Sequence, residues 1–309
     1  MSVALPEHVA RRPRYRLRRS EALWGPLLAL PAILGFLIFT VGPMLGSFVI
    51  GMTDWQIGGT PHWVGAQNYK TMLTADPLFY KSLGVTLYYV LGAVPLLLFV
   101  AFVAALLLNQ KVRGQRIFRT IFYLPVLVPS IANTVLWLWI FNPDYGLLNS
   151  ALRGVGLPGS QWIFDERTAI PSLILMGAWG FGNATLIFLA GLQDVPVYLY
   201  EAVDVDGGTA WHKLRYVTLP IMTPTIFFNL VIGLIAAFQT FNEAFVMTSG
   251  GPNNSTLMYV FYLYRTAFSE GRLGYASALS WVLFLVILVV TFLVFRFGRS
   301  WVYYEGEKR

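Results

Sequence analysis

Apolar residues dominate six long segments of the chain, and polar residues cluster in the connections between them. An α-helix needs about 20 residues to cross a hydrocarbon core of roughly 30 Å. Every one of these segments is long enough, so the pattern predicts six transmembrane helices, named here spans one to six. Their predicted ranges are Leu23–Ile50, Leu83–Leu108, Thr120–Phe141, Ala169–Gln193, Ile221–Met247 and Tyr275–Phe297.

The composition favours an integral membrane protein over a soluble one. The 309 residues are 56% hydrophobic and only 12% charged, with a mean hydropathy of +0.61. A soluble domain carries about twice that charged fraction. The chain has no cysteine and three scattered histidines, so we expect neither a metal site nor a thiol nucleophile. The predicted fold class is therefore an all-α integral membrane protein with no cofactor or metal of its own.

Basic residues are distributed unevenly between the two sides of the predicted bundle. Of the 22 Lys and Arg residues, 16 lie in the N-terminal arm, the connections after spans two and four, and the C-terminal tail. Positive residues favour the cytoplasmic side, so both termini are predicted to be cytoplasmic. The net charge of +7 then reflects topology and contact with anionic lipid, not nucleic-acid binding. The predicted domains are a basic cytoplasmic arm (1–20), a transmembrane domain (21–298) and a cytoplasmic tail (299–309).

The connection between spans four and five, residues 194–220, is unusually long and acidic. Its acidic residues are Asp194, Glu201, Asp204 and Asp206. We expect a short helix over Val195–Val205 with Asp194 as its N-cap, a turn at 206–209, and a second short helix over Thr209–Val217. From these features alone, the loop is either a docking element or an interfacial hairpin that only connects two spans.

The spacing of this loop resembles a known motif. Glu201-Ala202, Gly207 and Leu219-Pro220 fall where the EAA loop of ABC importer permeases has E-A-A-x3-G-x9-I-x-L-P. Val203 and Val217 replace the second Ala and the Ile of that pattern.

Two further segments are similar to binding-protein-dependent carbohydrate permeases of the glycerol-3-phosphate, lactose or multiple-sugar type. They are Trp63-Val64-Gly65-x-x-Asn68-Tyr69 with Asp76-Pro77-x-Phe79, and the run from Phe238 through Asn242-Glu243 to Gly250-Gly251-Pro252. The resemblance implies a type I importer permease fold in the bacterial cytoplasmic (inner) membrane. It also implies three partners: a second six-span permease, an ABC ATPase homodimer and an extracytoplasmic solute-binding protein.

The same resemblance implies that the 194–220 loop contains a coupling helix for the ATPase. The residues expected to couple are Glu201, Ala202, Asp204, Asp206, Gly207, Leu219 and Pro220. Their acids could pair with a basic rim on the partner. The chain has no G-x-x-x-x-G-K-[ST] motif, so ATP and Mg are expected on the ATPase subunits and this chain is not expected to be an enzyme.

A solute path needs polar or small groups that face the interior of the bundle. In span four, Trp179, Gly180 and Asn183 lie on one helical face with Met176; Trp179 could stack on a sugar ring and Asn183 could bond hydroxyls. In span five, the predicted path residues are Gly233, Ala237 and Thr240. Ordinary helix packing is the alternative explanation for these residues.

A polar external gate, or a contact with the binding protein, is predicted at the end of span five. The residues are Asn242, Glu243, Gly250, Gly251 and Pro252, and Glu243 is the acid that lies inside a span. The alternative for Glu243 is an interfacial side chain that reaches water.

Three alternative functions remain open at this point. One is a permease for another solute class, such as amino acids, peptides or metals, and another is a membrane anchor that transports nothing. The third is an ion-coupled carrier, which usually shows ionisable groups at mid-membrane and interrupted helices. The sequence indicates neither of these carrier features.

Overall fold

The structure is a computed structural model that describes residues 19–110 and 113–303. Helices dominate these residues, and their only extended pairing is an isolated bridge between Thr53 and Trp63. The α-helices are α1 Arg19–Phe36, α2 Gly42–Ile50, α3 Gln67–Thr74, α4 Pro77–Leu108, α5 Gln115–Tyr123, α6 Ser130–Ile140, α7 Leu147–Gly154, α8 Ala169–Trp179, α9 Gly182–Asp194, α10 Val197–Val205, α11 Ala210–His212, α12 Leu219–Phe238, α13 Tyr259–Tyr264 and α14 Leu273–Gly298. Short π-helical segments lie at Leu37–Val41, Lys213–Thr218, Glu243–Thr248 and Arg265–Ser269, and 3₁₀ turns lie at Leu124–Leu127 and Trp162–Phe164.

Four helical runs are long and apolar enough to cross a bilayer, and they correspond to spans one, two, five and six. They are Trp24–Ile50, Pro77–Leu108, Ala210–Thr248 and Leu273–Gly298. Spans three and four are each a bent pair of helices, with bends of 97° and 48°. The number of spans among the described residues is therefore four, or six if each bent pair crosses the membrane as one span.

Two predicted boundaries are wrong. Span two begins at Pro77 and not at Leu83, since the Asp76 carboxylate caps the first turn by accepting from the Leu78 and Phe79 N–H groups. The second short helix predicted over Thr209–Val217 is not a separate element. Thr209 forms a capping box with His212, and the helical run from Ala210 continues into span five.

The described residues divide at Val49 and Ile50 into two compact units. In the second unit, α4 lies at the centre and packs against α8, α9 and α12. Its buried face includes Ala93, Ala101 and Ala105, and such small side chains let helices approach closely. The residues that position the sites therefore surround α4.

Parts of the predicted terminal segments lie outside the described residues. These are residues 1–18 of the basic arm and residues 304–309 of the tail. Lys111 in the connection after span two also lies outside them.

Candidate functional site

Spans three, four and five are each interrupted within their length. Span three breaks at Val128 and Pro129, and span four bends at Gly180 and Phe181. In span five the regular helix ends at Phe238, and the N–H groups of Gln239 and Thr240 donate to carbonyls three residues back. Irregular backbone at membrane depth is tolerated where it is buried in protein or lines a cavity. These interruptions are therefore candidates to line a path for the solute.

The interruptions of spans three and four contact each other. The rings of Phe122 and Phe181 lie 5.8 Å apart, and those of Trp137 and Trp179 lie 6.1 Å apart. A Cβ added to Gly182 would lie 2.6 Å from a methyl group of Val126, so only glycine permits this approach.

Span five joins this region through polar side chains. The Asn242 amide donates to the Ser130 hydroxyl at the start of α6, at 3.0 Å. The π-helical segment that Glu243 begins also packs against α6. The structure thus brings Asn242 and Glu243 next to the break in span three.

The predicted path residues of span four do not share one continuous helical face. Trp179 ends α8 and Asn183 lies on α9, so the 48° bend at Gly180 separates them. The prediction of a single helical face is wrong because the span bends at Gly180. Trp179 is 49% exposed, and Gly180 and Asn183 are also exposed, whereas Met176 is buried.

Two of the small residues in span five pack against other parts of the chain. Ala237 is buried in the main hydrophobic cluster, and a Cβ on Gly233 would lie 3.5 Å from Val94 of α4. These contacts favour helix packing over a solute path at both positions.

The predicted gate segment 250–252 forms a tight turn after the π-helical end of span five. Gly250 has a φ of +82°, and a Cβ there would lie 2.9 Å from the Phe261 ring, so glycine is required. The Gly251 carbonyl accepts from the Thr256 hydroxyl, and the Pro252 carbonyl accepts from the Ser255 N–H. This turn directs the chain from span five into α13.

The predicted coupling loop forms a hairpin, which we call the coupling hairpin (residues 194–220). Asp194 ends α9 and does not cap α10, so the predicted N-cap is wrong. Pro196 occupies that position, because the residue before a proline favours an extended conformation and Val195 is extended here. Gly207 has a φ of +73°, which permits the turn after α10.

The acidic side chains of the coupling hairpin differ in their partners. Glu201, Ala202, Asp204, Asp206 and Gly207 are all exposed, and Leu219 and Pro220 are half-buried where α12 begins. Asp204, expected to face a partner, instead pairs with Lys213 within this chain, with 2.6 Å between Nζ and Oδ1. Exposed pairs of this kind contribute about 0–1 kcal/mol. Among the described residues, Glu201 and Asp206 form no ion pair.

Exposed apolar side chains and one contact between hydroxyls in the coupling hairpin were not predicted from the sequence. Val205 is 88% exposed and Trp211 is 65% exposed, so large apolar side chains flank the acidic turn. The signal that could have revealed them was an apolar side chain in a polar loop: Val205 lies between Asp204 and Asp206, and Trp211 precedes His212 and Lys213. The Tyr200 hydroxyl lies 3.1 Å from the Thr218 hydroxyl, which links α10 to the start of span five.

A carboxylate at the start of span two joins several helices, and the sequence did not predict this role. The Oδ2 atom of Asp76 accepts from the hydroxyls of Tyr262 and Tyr275, each at 2.5 Å. Burial raises the pKa of the Tyr262 phenol well above its ordinary value, and the neighbouring Asp76 carboxylate adds to this effect. Asp76 therefore holds span two, α13 and span six together.

Comparison with known proteins identifies the family. Residues 98–301 match the family described as "Binding-protein-dependent transport system inner membrane component". The chain belongs to this family. It is 40% identical to the probable ABC transporter permease YesP of Bacillus subtilis, over 94% of this chain and 95% of that protein. It is also 33% identical to the arabinooligosaccharides transport system permease AraP of the same species, over 91% of this chain and 89% of that protein.

A solved structure supports the fold. A chain of a bacterial ABC transporter "involved in the import of the acidic polysaccharide alginate" superposes with a TM-score of 0.78 and 25% identity. The match covers 91% of this chain and 96% of that one. The predicted type I importer permease fold is confirmed, and the protein is a multi-pass translocation subunit and not an enzyme.

The family also excludes one of the alternatives that the sequence left open, the ion-coupled carrier. Interrupted helices, which the sequence did not indicate, are present in spans three to five, so that argument against a carrier was wrong. The family of permeases, and not the shape of the helices, excludes an ion-coupled carrier. Among the described residues, no cluster of potential metal ligands is found.

Proposed function

We propose that this chain is one transmembrane subunit of an ATP-driven, binding-protein-dependent carbohydrate importer in the bacterial cytoplasmic membrane. The solute is a sugar, an oligosaccharide or a glycerol-phosphate-like compound. Support comes from the permease family and from a relative at 33% identity that is named for arabinooligosaccharide transport. The chain crosses the membrane six times, with both termini in the cytoplasm, and pairs with a second permease.

The coupling hairpin carries the proposal of an ATPase partner. Its turn combines free acids at Glu201 and Asp206 with the exposed apolar side chains of Val205 and Trp211. Such a mixture suits a protein cleft better than a lipid surface, because the acids would be repelled by anionic lipid. A short helix tied to span five by Tyr200 and Thr218 transmits motion of the ATPase dimer to the interrupted spans. ATP and Mg bind on the ATPase subunits.

The solute path follows the interruptions of spans three, four and five. Trp179 and Asn183 are exposed in this chain and could contact the solute, and Thr240 is the contribution of span five. Asn242, Glu243 and the turn 250–252 form the external gate, where the solute-binding protein delivers the solute. The small residues Gly233 and Ala237 let spans two and five pack beside this path.

Uptake by the reconstituted importer tests the proposed function. Gly207→Pro should abolish ATP-driven uptake while the subunit still inserts, because proline cannot adopt the positive φ of this turn. Gly207→Asn is the matched control and should keep most activity, since asparagine tolerates this conformation. Glu201→Lys should weaken co-purification of the ATPase. Normal uptake and assembly in both Gly207→Pro and Glu201→Lys would refute the coupling role.

A panel of solutes tests the carbohydrate assignment separately. Proteoliposomes that contain the second permease, the ATPase and the solute-binding protein should take up a carbohydrate only when ATP is supplied. Uptake that persists without ATP and collapses with an ionophore would refute the importer. ATP-driven uptake of an amino acid or peptide, but of no carbohydrate, would refute the solute class alone.

A further inference from the structure

A groove of about 380 Å³ lies at the external ends of spans two and four, apart from the solute path and the coupling hairpin. Its walls combine aromatic, charged and apolar side chains. The lining residues used below are Tyr80, Lys81, Tyr88, Glu166, Ile170 and Ser255. Span two contributes the first three, and the start of span four and the turn before α13 contribute the others.

The two charged residues of the groove have opposite signs and do not pair with each other. Among the described residues, Lys81 forms no ion pair, and Glu166 accepts one hydrogen bond from the Asn253 amide. The Ser255 side chain is only 8% exposed, and its hydroxyl has no hydrogen-bond partner in the described part of the chain. A ligand with a negative and a positive group would satisfy both charges at once.

An exposed apolar face continues from the groove along span two towards the membrane interior. Tyr80 and Tyr88 are each 54% exposed, and Leu87 and Leu91 are 45% and 64% exposed. Gly84 lies between the tyrosines with open space around its Cα. These residues share one helical face. Tyr80 and the charged groups of the groove lie at the start of the helix, and Leu87, Tyr88 and Leu91 lie two to three turns further along it. This order of polar and apolar groups matches that of a phospholipid molecule.

We propose that the groove binds phosphatidylethanolamine. The Lys81 ammonium group binds the phosphate, the Glu166 carboxylate binds the ethanolammonium group, and an acyl chain lies along Leu87 and Leu91. Phosphatidylglycerol has no cation for Glu166, and the quaternary ammonium of phosphatidylcholine has no N–H to donate. Assignment of this lipid to the outer leaflet rests on the orientation given with the proposed function.

Fluorescence quenching by brominated lipids tests the proposal in the assembled importer. The chain has no native cysteine, so Phe99→Cys, an exposed position of span two beyond Leu91, can be labelled with a fluorophore in this subunit before assembly and without changing Leu87 or Leu91. The complex is placed in phosphatidylglycerol vesicles that contain a minor brominated component: phosphatidylethanolamine, phosphatidylcholine or phosphatidylglycerol. Brominated phosphatidylethanolamine should associate about tenfold more tightly than phosphatidylglycerol, the factor expected for one charge-assisted hydrogen bond.

Matched variants show whether the groove causes this preference. Glu166→Gln should remove most of it, and Lys81→Gln should weaken the association of all three lipids, because each of them carries a phosphate. Lys70→Gln and Asp144→Asn, outside the groove, should leave both the preference and the association unchanged. A label at Phe292→Cys, on an exposed position of span six, should show no headgroup preference.

Several results would overturn the proposal. Equal quenching by the three lipids would show ordinary annular lipid, and a label shielded from all three would show that the second permease covers this face. A preference that survives Glu166→Gln, or lipid association that Lys81→Gln leaves unchanged, would also contradict the assignment. The measurement needs neither solute nor ATP, so its failure leaves the importer function untouched. Failed carbohydrate uptake would in turn leave a measured lipid preference intact.

Discussion

Two regions of the second unit differ in how their helices are joined. Spans two and six are continuous helices of 32 and 26 residues, and with α13 they form what we call the frame. Buried polar side chains join them: the Tyr259 N–H donates to Thr86 of span two, and the Tyr259 hydroxyl donates to the Leu279 carbonyl of span six. Asp76 adds hydrogen bonds from Tyr262 and Tyr275.

Spans three to five, which we call the interrupted spans, have no buried side-chain hydrogen bond between themselves among the described residues. One buried bond ties span four to span two, from the Thr185 hydroxyl to the Ala101 carbonyl. The interrupted spans contact one another through apolar and aromatic side chains and through one exposed side-chain hydrogen bond, from Asn242 to Ser130. Exposed hydrogen bonds and few buried polar contacts are typical of regions that open locally. The difference indicates that the frame holds its shape while the interrupted spans rearrange during transport.

α13 connects the two regions. One of its faces meets Asp76 through Tyr262, and another meets the end of span five, where the Phe245 and Phe261 rings lie 6.1 Å apart and the Phe241 and Tyr264 rings 5.1 Å apart. Aromatic contacts of this type contribute about 0.5–1.5 kcal/mol each beyond buried area. The end of span five, where we propose the gate, therefore contacts α13 through aromatic rings.

The largest effect is expected from breaking the frame with Asp76→Asn. The remaining amide oxygen can still cap span two, but the new amide nitrogen cannot accept from the Tyr262 and Tyr275 hydroxyls. Loss of two hydrogen bonds to a charged group should lower the free energy of unfolding by about 2–4 kcal/mol. The measurement is the apparent unfolding temperature of the purified complex at a fixed heating rate.

Asp144→Asn is the control for this change, since Asp144 is an exposed acid. It should leave the unfolding temperature unchanged. If Asp76→Asn lowers uptake but not the unfolding temperature, Asp76 belongs to the gate and the distinction between frame and interrupted spans fails.

The helices of the frame could be predicted from the sequence, but the hydrogen bonds that join them could not. Continuous apolar runs located spans two and six, because helix length must match the bilayer. Asp76 was visible only as part of a motif, since its partners Tyr262 and Tyr275 lie 186 and 199 residues away along the chain. Such contacts depend on tertiary packing, which local patterns do not encode.

The interruptions were also beyond sequence prediction. Pro129 and Gly180 occur in apolar runs, but membrane helices tolerate both residue types without a break. Hydropathy reports how apolar a segment is and not where it bends. The coupling hairpin was easier to find, because its acids and glycine turn contrast with every neighbouring segment. Its ion pair between Asp204 and Lys213 still required the structure.

A smaller effect, on transport and not on stability, is expected from Asn242→Ala. The variant removes the hydrogen bond to Ser130 that links the interrupted spans three and five. Uptake should fall about threefold to tenfold, in line with about 0.5–1.5 kcal/mol for one hydrogen bond, while the unfolding temperature stays constant. Ser130→Ala should have the same effect, and the double variant should be no worse than either single one. Additive losses in this cycle would show that the two residues act separately.

The smallest effect is expected from Trp179→Ala at the bend of span four. If the half-exposed indole stacks on the solute, its loss should raise KM for uptake about threefold to fivefold and leave kcat and assembly unchanged. Trp179→Phe keeps an aromatic face and should restore most of the affinity. Trp139→Ala removes an exposed indole from α6 and is the control, with no expected change in KM. A fall in kcat at constant KM would instead mean that Trp179 supports the movement of span four through its contact with Trp137, and the solute path would then have to avoid this bend.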